Sequence, residues 1–310
     1  MERKIGVKLY DPSLCDDMNL DLMQDLGFNT VFLGRDALVP SFTASLTKRG
    51  MFWNIVEPVF LLDEDDPNQL ATLEDGRPAE DSWVRFSCPT DNEHLNQVRK
   101  RIRRDIRDFN PPGLSLDFLR FFQFWEMTDP NATIESLPKS CFCDRCKEQQ
   151  KYFNSVEDWR MYVITETART LCNDIREAVF GCTIGIHCVP WKQDMFDGAI
   201  TKVIGQNFKV LSDIGDYLTP MIYHHMMHLQ PSYVKDFLDD MYAQGCRHVL
   251  PSVQVKEAYR EEEMPSSEFR EALELSLEKP SEGVVLYNWE ELVSDRHRRD
   301  IVKEVLGELK

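Results

Sequence analysis

Glycine is scarce in this sequence. There are 14 glycines in 310 residues, and none falls in a G-x-G-x-x-G or Walker pattern. Without such a loop to bring backbone amides against a phosphate, the common nucleotide-binding routes are excluded. Positive charge is short as well: Lys+Arg 36 stand against Asp+Glu 53, a formal net charge of −17. A chain this acidic is a poor general binder of nucleic acid or of an anionic membrane. No apolar run approaches the ~18 residues of a membrane-spanning helix. The opening Met1-Glu2-Arg3-Lys4 runs straight into a strand-like segment and lacks the apolar stretch of a signal peptide. The 9 cysteines are odd in number, which argues against a disulfide framework. These absences lead us to expect a cytoplasmic protein with reduced thiols and neither a nucleic-acid nor a membrane partner. They set no oligomeric state.

What is present is a globular balance, 42% apolar and 29% charged. Short β-rich runs alternate with longer amphipathic ones. The former are Ile5–Tyr10, Thr30–Gly34, Met51–Phe60, Leu114–Arg120, Thr183–Trp191, Tyr217–Tyr223, His248–Val255 and Gly283–Trp289. After the third, Leu95, Val98, Ile102, Ile106 and Phe109 recur at 3, 4, 4 and 3 residues, one face of a helix. Similar faces are Val234/Phe237/Leu238/Met241, Phe269/Leu273/Leu277 and Ile301/Val302/Val305/Leu309. An open doubly wound sheet could hold eight strands, but it would usually carry a phosphate loop after an early one. The pattern predicts a single-domain α/β protein over residues 1–310, a (β/α)₈ barrel. Two connections, 61–91 and 121–155, exceed a minimal barrel. Both follow a strand, so both are expected as rim insertions at the C-terminal face. The run Arg99, Lys100, Arg101, Arg103, Arg104, Arg107 reads as the solvated face of an outer helix rather than a nucleic-acid site.

Alternate residues of a strand share a face. In Leu114-Ser-Leu-Asp-Phe-Leu-Arg120, Ser115 and Asp117 point into the barrel, and a carboxylate there is costly unless paired or used. The same alternation directs Gly6, Lys8 and Tyr10 inward, with Glu57 after Trp53 and Ile55, and His187 after Gly185. Tyr223 and His224 reach the rim, Gln254 follows Ser252, and the eighth strand ends Tyr287-Asn288-Trp289-Glu290. Carboxylates for acid/base work, amides and histidine for hydroxyls, and aromatic rings for a sugar's C–H face are what a carbohydrate pocket needs. Glycosidic cleavage normally uses two carboxyl groups and no cofactor. Asp117 is the first candidate, with Glu57, Glu126 or Glu290 as its partner; Glu257 is a weaker one. Lys8, Tyr10, Arg120, Trp125, His187, Tyr223, His224, Gln254 and Trp289 are candidates for substrate binding. Two other readings fit the same residues. One is a carbohydrate-binding barrel without catalysis. The other is a metal-dependent hydrolase or lyase using His187 and the rim histidines His224, His225 and His228.

The segments Gly113-Leu-Ser-Leu-Asp-Phe-Leu-Arg120, Phe124-Trp125-Glu126 and Cys141-Phe-Cys-Asp-Arg-Cys146 resemble a family of barrel proteins described as glycoside hydrolases. That family is distantly related to the α-galactosidase-like barrels. Phe86-Ser-Cys-Pro89, Thr219-Pro-Met-Ile-Tyr-His-His225 and Leu286-Tyr-Asn-Trp289 also look like it, so the likeness runs from about residue 50 onward. It implies a nucleophile at the end of the fourth strand, where Asp117 stands. Relatives often place the acid/base carboxylate at the sixth strand, where this chain departs with Tyr223, His224 and His225. Cys141-x-Cys143-x-x-Cys146 is a dense thiolate arrangement, and Cys88 on the other long connection is the natural fourth ligand for a structural zinc. It resembles the cysteine clusters that pin a loop in some barrel β-galactosidases. The alternative is free thiols packed as small hydrophobes.

Overall fold

A computed structural model describes residues 3–63 and 70–308. Eight parallel strands form the sheet: β1 Lys4–Leu9, β2 Thr30–Leu33, β3 Phe52–Pro58, β4 Gly113–Asp117, β5 Thr183–Cys188, β6 Tyr217–Pro220, β7 Ser252–Gln254 and β8 Gly283–Tyr287. The hydrogen-bonded order is β6-β5-β4-β3-β2-β1-β8-β7. Parallel bridges Leu218–Val249 and Met221–Ser252 join β6 to β7 and complete the ring. This is the (β/α)₈ barrel that the alternating pattern predicts. The helices are α1 Asp17–Leu26, α2 Pro40–Lys48, α3 Asn92–Phe109, α4 Asp144–Gln150, α5 Val156–Ala178, α6 Ala199–Lys202, α7 Phe208–Ser212, α8 Tyr233–Ala243, α9 Ser266–Ser276, α10 Trp289–Ser294 and α11 Arg296–Gly307.

The helix faces follow from residue spacing. In α3, Val98, Ile102 and Ile106 are buried, and Asp91 caps the start by accepting from the Glu93 and His94 amides. In α8 the buried set is Val234, Phe237, Leu238 and Met241. Leu309, expected to extend the last face, lies outside the described residues. Arg103, Arg104 and Arg107 of α3 form the solvated outer face expected of the run, but Arg101 turns to the buried Glu57, and Arg99 and Arg103 both meet the buried Asp174 of α5.

Inside the barrel, Phe32, Val56, Tyr217, Leu250 and Val285 form a small apolar cluster. Large and small residues alternate across it. A Cβ on Gly185 would stand 2.6 Å from the Tyr217 ring, so this ring fits only beside glycine. The Tyr217 hydroxyl donates to Asn54 Oδ1 at 3.1 Å and lies 3.2 Å from Ser115 Oγ.

Several strands end earlier than expected. β4 stops at Asp117 because Phe118 turns into the left-handed region at φ 50°. The two long connections then pack on each other. The first carries a hairpin of Glu80–Asp81 with Val84–Arg85. Its Leu73 bridges Ser140 of the second, and the Phe142 amide donates to Thr72 O at 2.8 Å. Residues 64–69 of the expected 61–91 insertion lie outside the described set.

Candidate active site

A cavity of about 450 Å³ opens at the C-terminal end of the barrel. Lys8 and Asp117 lie at its floor, and Glu126 and Arg35 contribute to its walls. Tyr223 and Tyr287 stack on one side, with centroids 4.9 Å apart. Tyr10 meets Tyr287 edge-on, and it reaches this place because Gly34 leaves room: a Cβ there would stand 2.4 Å from the Tyr10 ring.

Asp117 is fixed by two neighbours. Its Oδ2 lies 2.9 Å from His187 Nδ1, and its Oδ1 accepts the Phe118 amide at 2.7 Å. The left-handed turn at Phe118 makes that second bond. Burial would push the Asp117 carboxyl up, but His187, the Lys8 charge and the Phe118 amide outweigh it and hold it well below the usual range. Burial and the Lys8 charge push His187 down, and its Nδ1 lies between Asp117 Oδ2 and Lys8 Nζ, 3.4 Å from the latter.

Glu126 behaves in the opposite way. It sits in a single helical turn, Trp125–Met127, beside the aromatic run of the second connection. Burial pushes its carboxyl up to about 7, and the Asp117 charge adds to that against the pull of Arg120. One cavity therefore carries two carboxyl groups driven apart. Arg260 holds this segment: its Nη2 donates to the Glu126 carbonyl at 3.1 Å, and its Nε to the Met226 carbonyl at 3.1 Å.

The other candidates fall elsewhere. Glu57 is a correction. Asn54 and Val56 face the lumen, so the period of two turns Trp53, Ile55 and Glu57 toward the helices. Glu57 is fully buried between Arg35, at 2.6 Å, and Arg101 of α3. Burial nonetheless pushes its carboxyl up against the pull of the two arginines. Glu290 is a tie rather than a wall: its Oε1 accepts the Tyr10 and Asp11 amides at 2.6 and 2.7 Å. Trp289 is fully buried and donates to Asn19 of α1 at 3.0 Å, with its ring against Phe28. Arg120 is buried with its guanidinium 4.8 Å from the Phe86 ring, donating to the Gln123 carbonyl at 2.6 Å. Trp125 packs behind Tyr223. His224 is buried away from the cavity, and burial pushes it down to about 4. Gln254 is spent on the Met226 amide and the Lys256 carbonyl. His224, Trp289 and Glu290 lie beyond the strand ends, where the chain turns and alternation no longer sets direction.

Sequence reasoning underused Trp83 and Tyr259. Both line the cavity and stack on each other, centroids 6.1 Å apart. Trp83 also meets Phe118 and Phe124. Trp83 is 42% exposed. No periodicity marks it, since it lies at the tip of the hairpin. Tyr259 holds φ 60°, a cost of ~1–3 kcal/mol that points to a constrained position.

Of the histidines in the metal-dependent reading, His224 and His225 meet at Glu268, but His187 does not join them. His187 bonds Asp117, while His225 Nδ1 lies 3.0 Å from Glu268. Among the described residues, the group arranged to hold a metal ion is Cys88, Cys141, Cys143 and Cys146, with ligand atoms all within 4.8 Å of one another. The Cys88 sulfur stands 3.4 Å from that of Cys146 and 3.8 Å from that of Cys143. A tetrahedron with Zn–S ≈ 2.3 Å has edges of ~3.8 Å, so the donor set fits zinc. The Thr72 amide and the Arg145 guanidinium point at these sulfurs.

No protein-family model and no curated sequence matches the chain. Solved structures do. The PgaB (BpsB) glycoside hydrolase domain of Bordetella bronchiseptica superposes with a TM-score of 0.75 at 11% identity, covering 99% of both chains. The chain shares its fold with glycoside hydrolase domains. The β-galactosidase of Halorubrum lacusprofundi gives 0.71 at 12% identity, over 98% of this chain and 58% of that one. The glycoside hydrolase domain of PelA from Pseudomonas aeruginosa gives 0.54 at 14%, over 93% and 96%. Against the β-galactosidase, then, this chain spans little more than half the length.

Proposed function

We propose that this cavity hydrolyses glycosidic bonds in small oligosaccharides or glycosides. The observation that carries the reading is the pair of carboxyls in one cavity with opposite shifts. Asp117 stays ionised as nucleophile or base, and Glu126 keeps its proton near neutrality as the acid. His187 orients Asp117. Tyr10, Tyr223, Tyr287 and the exposed Trp83 offer faces for sugar rings, and about 450 Å³ suits a short saccharide. The glycoside hydrolase folds named above support this assignment. The test is a panel of chromogenic α- and β-glycosides, uronides included, run with wild type, Asp117→Asn and Glu126→Gln. Turnover lost in both variants supports the proposal. Binding without turnover would make this a carbohydrate-binding barrel.

The four cysteines would hold a structural zinc that pins the first long connection to the second. Cys88 comes from one and Cys141, Cys143 and Cys146 from the other, so the ion would steady the hairpin that carries Trp83. A site of four thiolates has no open position for substrate, so its part is mechanical. Nine unpaired cysteines suit a reducing compartment, which supports a cytoplasmic location. No helix of the described residues is long and apolar enough to cross a membrane.

A further inference from the structure

We infer that Lys8 is a second reactive group of the cavity, an amine that forms an imine with the open-chain aldehyde of a reducing sugar. The geometry is that of a buried amine without a counterion in contact. Lys8 is 1% exposed, yet it lines the cavity. Its Nζ donates to the Tyr223 hydroxyl at 3.2 Å, and that oxygen lies 3.2 Å from Ser252 Oγ. Among the described residues no carboxylate forms an ion pair with it. The oxygens of Asp117 are taken by His187 and by the Phe118 amide. The other ionisable groups around it are Glu126, His187, Tyr10, Tyr223 and Tyr287. Burial lowers the amine to about 8, with Asp117 and Glu126 pulling back. At pH 7 such an amine is neutral roughly 200–300 times more often than an ordinary lysine.

The step balances without an external oxidant or reductant. The ε-nitrogen lone pair forms the new N–C bond while the carbonyl π pair moves to oxygen. That oxygen then leaves as water, carrying both amine protons, and C=N remains. Glu126, protonated in the same cavity, is placed to give a proton to the departing oxygen and to take one back from nitrogen. The inference shares protonated Glu126 with the hydrolase reading, but it turns on Lys8 and breaks no glycosidic bond.

The test uses the full chain at pH 7 with glycolaldehyde as the probe and cyanoborohydride to reduce any imine. Peptide mass spectrometry then gives the rate of alkylation at each lysine. The expected result is alkylation of Lys8 at least about tenfold faster than the typical surface lysine, with the advantage shrinking as pH rises past 8. Asp117→Asn should keep or increase that rate, since it removes a charge that favours the ammonium. Alkylation of Lys8 no faster than elsewhere overturns the inference. A silent glycoside panel with a labelled Lys8 would defeat the hydrolase reading alone.

Discussion

At the scale of single residues, the account rests on Asp117 and Glu126. Replacing Asp117 by Asn keeps its shape and removes the charge, so turnover should vanish. Replacing Glu126 by Gln removes the proton donor and should cost ~10²–10⁴-fold in kcat, the usual range for a general acid. The two shifts also fix a pH profile. Activity needs Glu126 protonated and Asp117 ionised, so the rate should fall as pH rises through about 7, and the alkaline limb should be absent in Glu126→Gln. Stability follows the same sign. A carboxyl raised above its unfolded value supports the fold below that value, and the support is lost as pH climbs through about 7. Urea denaturation at pH 5 and pH 8 should show wild type losing at most ~3 kcal/mol that Glu126→Gln does not lose. Glu57 makes a contrasting prediction. Glu57→Ala leaves Arg35 and Arg101 facing each other without their shared carboxylate. Because both arginines are part-exposed and can regain water, the expected loss is ~2–3 kcal/mol, below the full cost of breaking a buried pair.

At the scale of elements, the two long connections behave as one unit. Their contacts include the Leu73–Ser140 bridge, the Phe142–Thr72 hydrogen bond, the Arg145–Asp91 ion pair and the four cysteines. Metal analysis of the purified protein should find one zinc per chain. Removing it with a chelator, or replacing Cys146 by Ser, should lower Tm and loosen Trp83 fluorescence, because the hairpin loses its pin. This unit was only partly legible in the sequence. The cysteine spacing exposed the cluster, and Cys88 was identified because it lay on the other long connection. Arg260 was not legible as a site element, since a backbone-clasping arginine leaves no periodic trace, and Trp83 at its hairpin tip stood out only as an exposed aromatic able to serve a partner or a ligand. The strands taught a sharper lesson. In β4 and β1 the alternation correctly turned Ser115, Asp117 and Lys8 inward. In β3 it is Asn54 and Val56 that face the lumen, one residue out of phase with Glu57, and a slip of one residue exchanges the two faces of a strand. Trp53 and Ile55 are apolar enough for either face. The pairing of Asn54 with Tyr217 in the lumen and the salt bridges of Glu57 to Arg35 and Arg101 show which way Glu57 turns.

At the scale of the molecule, the barrel explains why residues so distant in sequence meet. Lys8, Asp117, His187 and Tyr287 come from β1, β4, β5 and β8, and Tyr223 from the segment just after β6, and closure of the ring brings them to one face. The eight-fold alternation made that architecture readable before any coordinate. The substrate was not readable, because the loops that shape the cavity carry no repeating pattern. The fold tolerates little adjustment in its lumen. Gly185→Ala should force the Tyr217 ring to move and cost ~1–3 kcal/mol, measurable by denaturant titration. The most direct test of the central claim is the pH–rate profile on any glycoside that the chromogenic panel reveals, measured for wild type, Asp117→Asn and Glu126→Gln. The account predicts a wild-type rate that declines through about pH 7, no turnover in Asp117→Asn, and a low rate without the alkaline decline in Glu126→Gln. Full turnover in Asp117→Asn, or an unchanged alkaline decline in Glu126→Gln, would contradict it.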